Sequence, residues 1–147
     1  MINVLFICIH NSARSQMAET FVNHFGADKF FAESAGLEPG KLNPIVVEAM
    51  KEIGFDISGN PTKSVFDIHS TGKAYDVVVT VCDEASAERC PIFPGKHHKL
   101  HWGFPDPSAI QGEFEEKLAG TRLIRDNIKD TIEKWVKEFA IQEKSNS

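Results

Sequence analysis

The chain has 147 residues, of which 41% are hydrophobic and 25% are charged, and its net charge is -5. This length suits one domain, residues 1–147, that buries a core without disulfides or a structural metal, and we expect a monomer. The acidic balance argues against nucleic acid as a partner. Neither a basic leader nor an apolar run of about 18 residues is present, so we expect a cytoplasmic protein with no membrane segment.

The N-terminal part of the chain alternates between strand-like and helix-like patterns. Residues 2–8 form a β-branched apolar run, which predicts a strand buried on both faces. Residues 15–25 carry apolar side chains at helical spacing, and a weaker strand is predicted over 29–34. Pro44 is expected to begin a helix that Gly54 ends.

The same alternation continues in the C-terminal part. Residues 76–82 are the clearest buried strand, and residues 98–102 are a possible later one. From Glu113 onward apolar residues recur every three or four positions, which predicts a long amphipathic helix, with a frayed tail over 142–147. This order of elements predicts an α/β fold of three layers, α/β/α, around a central parallel sheet.

A polar loop, CIHNSARS, joins the first predicted strand to the first predicted helix. Ligands of parallel sheets bind beyond the carboxyl ends of the strands, and backbone N–H groups at a helix N-terminus attract anions. Arg14 can hold two oxygens of a tetrahedral oxyanion, and Ser15 can donate to a thiolate or cap the helix. We therefore predict that Cys8 is a thiolate nucleophile rather than a buried strand residue. The predicted substrate-binding residues are Ile9, His10, Asn11, Ser12, Ala13, Arg14 and Ser15.

This loop resembles the phosphate-binding loop of the low-molecular-weight protein tyrosine phosphatases and of the arsenate reductases built on the same fold. The resemblance extends through ESAG at 33–36, DISG at 56–59, VVVTVCD at 77–83 and HWGFPDPS at 101–108. It implies the fold of that family, a nucleophile at Cys8, an oxyanion-holding Arg14 and a general acid at Asp106. A carboxylic acid opposite the nucleophile would deliver the proton that the leaving oxygen needs.

The resemblance to the three-cysteine arsenate reductases assigns Cys82 and Cys90 to a thiol relay. It implies that Cys8 attacks arsenate and that Cys82 then attacks Cys8, which releases arsenite and leaves a transient Cys8–Cys82 disulfide. Cys90 would move this bridge to a Cys82–Cys90 disulfide, which an external reductant, thioredoxin or glutaredoxin with glutathione, would reduce.

The run between the two relay cysteines, residues 83–90, has good helix formers. A helix of that length would separate their Cα atoms by about 12 Å, whereas a disulfide tolerates about 4.4 to 6.8 Å. We hypothesise that residues 83–90, if helical in the reduced protein, unwind when the bridge forms.

Other functions compete with this interpretation. A phosphatase that hydrolyses phosphomonoesters through a Cys8 phosphoenzyme is the main alternative, and phosphate or sulfate would compete with arsenate in the same loop. Ser108 and Ala109 follow the Asp–Pro pair and offer no ring for phosphotyrosine. A module that binds oxyanions without turnover would need neither Asp106 nor two further thiols.

We predict no structural metal and no tightly bound cofactor. A zinc site built from Cys82, Cys90 and two of His97, His98 and His101 is disfavoured, because no close pair of cysteines is present. Some relatives bind a monovalent cation beside the loop. The polar candidates for such a site here are Asn11, Glu19, Ser34 and Asp67.

Overall fold

A computed structural model describes residues 1–95 and 97–145, and its centre is a sheet of parallel strands. The strands are β1 (Ile2–Cys8), β2 (Phe30–Gly36), β3 (Val77–Thr80) and β4 (His98–His101), in the order β2-β1-β3-β4. In the register of β1, Cys8 lies opposite Gly36 of β2 and Ile7 lies opposite Thr80 of β3. The predicted parallel sheet is confirmed, and the loop after Cys8 lies at its carboxyl edge.

Five α-helices occur within the described ranges: α1 (Arg14–Phe25), α2 (Pro44–Lys51), α3 (Val65–Ser70), α4 (Glu84–Ala87) and α5 (Phe114–Ser145). Helix α5 continues to Ser145, and residues 146–147 lie outside the described part. No helix of the described residues is both long enough and apolar enough to cross a bilayer.

Helix α3 was not predicted, although its N-terminus has a capping residue. The side chain of Ser64 accepts hydrogen bonds from the backbone N–H groups of Phe66 and Asp67. This arrangement satisfies two amides that otherwise have no helical partner. The helix has only six residues, so its apolar residues, Val65, Phe66 and Ile68, are too few to reveal a period.

Side chains of β1 alternate between two hydrophobic clusters on opposite faces of the sheet. Val4, Phe6 and Cys8 belong to the first cluster, which contains the buried sides of α1, α2 and α5. Leu5 and Ile7 belong to the second, which is closed by α3 and by the chain around Tyr75 and Phe93. The strand pleat alone therefore places Cys8 on the side of α1, where the loop after β1 turns into the helix.

Candidate active site

The sulfur of Cys8 is enclosed by its own loop. Cys8 is only 3% exposed at the end of β1. The backbone N–H of Asn11 donates to Sγ across 3.1 Å, and the hydroxyl of Ser15 lies 2.9 Å from the same sulfur. Ser15 Oγ already accepts a hydrogen bond from the Asn11 amide across 2.8 Å, which leaves its own proton free to point at Cys8. Two donor groups of the loop therefore converge on this sulfur.

Asn11 holds this loop in shape from within. The residue is fully buried and has a φ of 54°, a left-handed conformation that asparagine tolerates better than most residues. Its Oδ1 accepts hydrogen bonds from the backbone N–H of Lys63, at 3.0 Å, and from the amide of Gln16, at 3.3 Å. These bonds offset the strain of the turn. Sequence patterns did not predict the roles of Gln16 and Lys63, because both depend on contacts between distant segments.

The loop's carbonyl groups face away from the site and are bonded to the chain that follows β2. The carbonyls of Cys8, Ile9 and His10 accept hydrogen bonds from the backbone N–H groups of Leu37, Glu38 and Gly40. Because carbonyls and amides of a loop face opposite ways, this arrangement leaves N–H groups for an anion. Gly36 makes the close approach feasible, since a Cβ there would lie 2.8 Å from the backbone N of Asn11.

Arg14 joins the loop to the predicted general acid. Its guanidinium is buried, donates through Nη1 to the carbonyl of Phe104 at 3.1 Å, and lies 3.7 Å through Nη2 from Oδ2 of Asp106. The Phe104 contact was not predicted, because a backbone carbonyl leaves no signal in the sequence. These partners aim the planar fork of Arg14 between the loop and Asp106, where an oxyanion can bind.

Asp106 lies on a partly exposed turn beside Arg14. Its side chain is 38% exposed, and Oδ1 accepts a hydrogen bond from the backbone N–H of Ser108 at 2.9 Å, which starts the 3-10 turn Pro107–Ala109. The amide of Asn43, at the N-cap of α2, donates to the hydroxyl of Ser108 at 3.0 Å. One carboxyl oxygen therefore positions the turn, while the other faces Arg14 and can carry a proton.

Cys82 lies beside Cys8 at the same edge of the sheet. The N–H of Val81 donates to the carbonyl of Ile7, so the ends of β3 and β1 are one strand spacing apart, about 5 Å. Cys82 is fully buried. Burial raises the pKa of its thiol, the guanidinium of Arg14 lowers it, and negative charge on Cys8 raises it further. Attack by Cys82 would therefore depend on Arg14 for a nearby positive charge.

Cys90 is half-buried and packs against the second cluster, whereas Cys82 belongs to the first. Burial, with a further contribution from Cys82, raises the pKa of Cys90 to about 11. Helix α4 covers only Glu84–Ala87, so residues 83–90 do not form one continuous helix. The Cα–Cα separation of Cys82 and Cys90 that a continuous helix would impose therefore does not apply. All three cysteines are free thiols.

The histidines considered as zinc ligands have other partners. Nδ1 of His101 lies 2.7 Å from the hydroxyl of Thr80, and the ring of His98 packs edge-on against Phe139. His97 Nδ1 lies 3.3 Å from the carbonyl of Gly95. Within residues 1–95 and 97–145, no group of three or more His, Cys, Asp or Glu side chains is arranged to hold a metal ion.

The candidate cation ligands are only partly brought together. Glu19 accepts a hydrogen bond from the hydroxyl of Ser34 at 3.1 Å, and Asn11 directs its Oδ1 to Lys63 and Gln16. Burial raises the pKa of Glu19, while the charge of Lys63 lowers it. Asp67 is exposed in the first turn of α3. Lys63 is thus a cationic neighbour of this partly buried carboxyl, although burial has the larger effect on its pKa.

Comparisons with known proteins agree with this geometry. The family model described as low molecular weight phosphotyrosine protein phosphatase matches residues 3–146. An arsenate reductase of Bacillus subtilis (strain 168) is 44% identical over 137 residues, which cover 93% of this chain and 94% of that protein.

Solved structures give the same result. An arsenate reductase in the oxidized state superposes with a TM-score of 0.77 at 29% identity, covering 94% of this chain and 98% of that chain. A thioredoxin-dependent arsenate reductase of Corynebacterium glutamicum superposes with a TM-score of 0.63 at 28% identity, covering 90% of this chain and 62% of that chain. The chain therefore belongs to the low molecular weight phosphotyrosine protein phosphatase family and, within it, to the arsenate reductases.

Proposed function

We propose that this protein reduces arsenate to arsenite by the three-thiol relay of Cys8, Cys82 and Cys90. The observation that carries the proposal is the position of Cys82, a second thiol at the strand end next to the one that bears Cys8. A phosphatase uses water as its second nucleophile and has no need of a thiol there.

In the first step the loop binds arsenate through its backbone N–H groups and Arg14. The Cys8 thiolate forms a bond to arsenic, and one arsenate oxygen leaves as water after Asp106 gives it a proton. The position of Asp106, 3.7 Å from a guanidinium nitrogen of Arg14, supports this role. Arg14 neutralises the negative charge of the remaining oxygens.

In the second step the thiolate of Cys82 attacks the sulfur of Cys8. The new S–S bond forms as the S–As bond breaks, and the electron pair of that bond stays on arsenic, which is thereby reduced to the trivalent state and leaves as arsenite. Cys82 can make this attack without leaving its buried position, because the ends of β1 and β3 are neighbours in the sheet.

In the third step Cys90 attacks Cys82 and frees the Cys8 thiolate. The product is the Cys82–Cys90 disulfide, which a dithiol protein of the thioredoxin type reduces by giving two electrons and two protons. Cys90 is the more exposed member of the pair, so it is the sulfur that such a partner reaches first. Glutaredoxin with glutathione is the other reductant that fits this chemistry.

We further propose that the cycle takes place in the cytoplasm as a monomer. Free thiols persist in that reducing compartment, and every residue of the relay belongs to one chain.

The test is arsenite production from arsenate with thioredoxin, its reductase and NADPH. The intact protein should turn over many times, Cys8→Ser and Cys82→Ser should produce no arsenite, and Cys90→Ser should stop after one arsenite per protein, with a Cys8–Cys82 disulfide in its mass spectrum. Full turnover by both Cys82→Ser and Cys90→Ser would refute the relay. Rapid hydrolysis of an aryl phosphate by the intact protein without consumption of NADPH would favour the phosphatase.

A further inference from the structure

The stretch of chain that follows Cys82 and ends before Phe93 contains Cys90 and is held at both ends. We define the relay segment as residues 83–92. Cys82, before it, is fully buried, and Phe93, after it, is only 2% exposed. Ile92, by contrast, is 84% exposed, although it is a large apolar residue next to a buried one. The segment is thus anchored at both ends, and between them only Ala87 and Cys90 of its described side chains pack against the two clusters.

A side chain of α3 reaches this segment near its C-terminal end. Nε2 of His69 lies 2.8 Å from the carbonyl oxygen of Ile92. A carbonyl oxygen can only accept, so His69 donates this hydrogen bond and Nε2 carries the hydrogen. A second contact, between Arg89 and Glu38 at 3.5 Å, joins two exposed charged groups, a type of ion pair that contributes little to stability.

The ring of His69 is held in place by aromatic packing. It meets Phe93 edge-on, with ring centroids 5.3 Å apart, and Phe93 in turn meets Tyr75 at 5.6 Å. Phe93 and Tyr75 belong to the second hydrophobic cluster, against which Cys90 also packs. His69 therefore has a fixed orientation toward the Ile92 carbonyl while Cys90 is packed on that cluster.

We infer that formation of the second disulfide disturbs this arrangement. Cys82 and Cys90 pack against clusters on opposite faces of the sheet, and a disulfide brings their Cα atoms to within about 7 Å. Cys82 lies two residues beyond β3 and is fully buried, whereas Cys90 is partly exposed, so we infer that Cys90 is the thiol that moves and leaves its cluster. Ile92 lies two residues further along and is drawn with it.

We propose that His69 is a positioning residue of the relay, whose hydrogen bond to the Ile92 carbonyl, here named the latch, forms in the dithiol protein and breaks when Cys82 and Cys90 form their disulfide. This inference rests on the proposed function, since it uses the same disulfide. An interaction present in only one redox form favours that form. The latch therefore makes the Cys82–Cys90 disulfide easier to reduce, and it shields Cys90 until the resolving step.

The test is the redox equilibrium of the disulfide with dithiothreitol, in the absence of arsenate. In this reaction dithiothreitol gives two electrons and two protons to Cys82 and Cys90 and becomes its cyclic disulfide. His69→Phe keeps a ring against Phe93 but cannot donate. It should lower the equilibrium constant for reduction by about three- to tenfold, as the loss of one hydrogen bond implies. Alkylation of Cys90 by iodoacetamide in the dithiol protein should become faster by a similar factor.

Two further variants separate the latch from general effects on the fold. His69→Gln retains an N–H donor and should restore most of the equilibrium constant. His24→Phe is a matched control, because His24 also packs edge-on against aromatic rings, those of Phe25 and Phe55, but lies on α1. It should leave both measurements unchanged.

Three outcomes would overturn the latch. If His69→Phe lowers the melting temperatures of the dithiol and disulfide forms equally and leaves the equilibrium unchanged, His69 is only structural. If His24→Phe shifts the equilibrium as much as His69→Phe, the effect is not specific. If oxidation of the intact protein produces no Cys82–Cys90 disulfide, the relay itself fails and the latch with it, whereas the first two results leave the proposed function standing.

Discussion

At the scale of single residues, the side chain of Asn11 holds the loop after β1 from within. It is fully buried, and its amide contacts Ser15, Gln16 and the backbone of Lys63. Through Ser15 it also sets the direction of the hydroxyl that faces Cys8. The side chain therefore contributes both to the stability of the loop and to the reactivity of the nucleophile.

Two replacements of Asn11 separate the contribution of its side-chain amide to stability from that of its backbone conformation. Asn11→Gly removes the amide but tolerates the φ of 54°, and we expect it to cost about 1 to 3 kcal/mol in the free energy of unfolding, because buried partners lose their bonds. Asn11→Ala should cost about 1 kcal/mol more, the strain of a Cβ in the left-handed region. Urea denaturation of the reduced proteins measures both values. Equal stabilities of the two variants would show that the backbone conformation is not strained.

Cys90 gives the protein a pH dependence in the alkaline range. Its pKa in the folded protein is about 11, above its ordinary value of 9.0. Between these two values the unfolded chain releases the proton and the folded chain keeps it, so the stability of the reduced protein falls as pH rises from 9 to 11. Below pH 9 this contribution is constant. We expect a flatter decline for Cys90→Ser, and parallel curves of urea midpoint against pH would contradict the assignment.

At the scale of elements, the turn that carries Asp106 is built so that its carboxyl has two functions. Oδ1 caps the 3-10 turn and Oδ2 faces Arg14. An asparagine can still accept the hydrogen bond from Ser108, but it cannot give a proton to a leaving oxygen. The local structure and the chemistry can thus be separated by a single substitution.

We expect Asp106→Asn to fold normally and to slow the first step by about a hundredfold to ten-thousandfold, the usual contribution of a general acid. Single-turnover arsenite formation measures this rate. Asp56→Asn is a matched control, because Asp56 accepts a hydrogen bond from the N–H of Ser58 at 3.0 Å in the same geometry, outside the site. A normal rate for Asp106→Asn would remove Asp106 from the mechanism.

The elements differ in how well the sequence predicts them, and the reason is their place in the sheet. β1 and β3 are the two middle strands, so their residues are buried on both faces and form continuous apolar runs. β4 is an edge strand with mostly exposed residues, which explains its weak pattern. Contacts that join distant segments, such as Gln16 with Pro61 or Arg14 with the Phe104 carbonyl, have no local pattern and emerge only from the fold.

At the scale of the whole molecule, helix α5 covers the face of the sheet that bears the nucleophile. Ile128 and Ile132 are fully buried in the first cluster, together with residues of α1 and β1. Arg125 adds a hydrogen bond to the carbonyl of Ala49 in α2. The long helix therefore holds α1 and α2 against the strand that ends at Cys8.

Shortening a buried side chain of α5 should destabilise the protein without changing the reaction it catalyses. We expect Ile128→Ala to cost about 2 to 5 kcal/mol in the free energy of unfolding, because it leaves a cavity in the core. Leu123→Ala, on the same helix at a side chain that is 74% exposed, should change the stability by less than about 0.5 kcal/mol. Equal losses in urea denaturation would show that α5 does not pack as described.

The sequence predicts those parts of the fold that follow from the strand pleat and from the order of the elements. The loop after Cys8 was placed at the carboxyl edge of a parallel sheet from sequence alone, and the structure agrees. The separation of Cys82 and Cys90 between two clusters was not predicted, since it depends on which face the chain covers after β3. Spacing along the sequence carries no information about that choice.

Gly36 also limits which residues this chain can accept at its position. A Cβ at this position would meet backbone atoms of Ile9, His10 and Asn11 within 3 Å, and backbone cannot rotate out of the way as a side chain can. In a saturation library selected for growth on arsenate, position 36 should therefore accept glycine alone, although the residue has no chemical role. Its exclusion of every other residue would be as strict as that of the nucleophile.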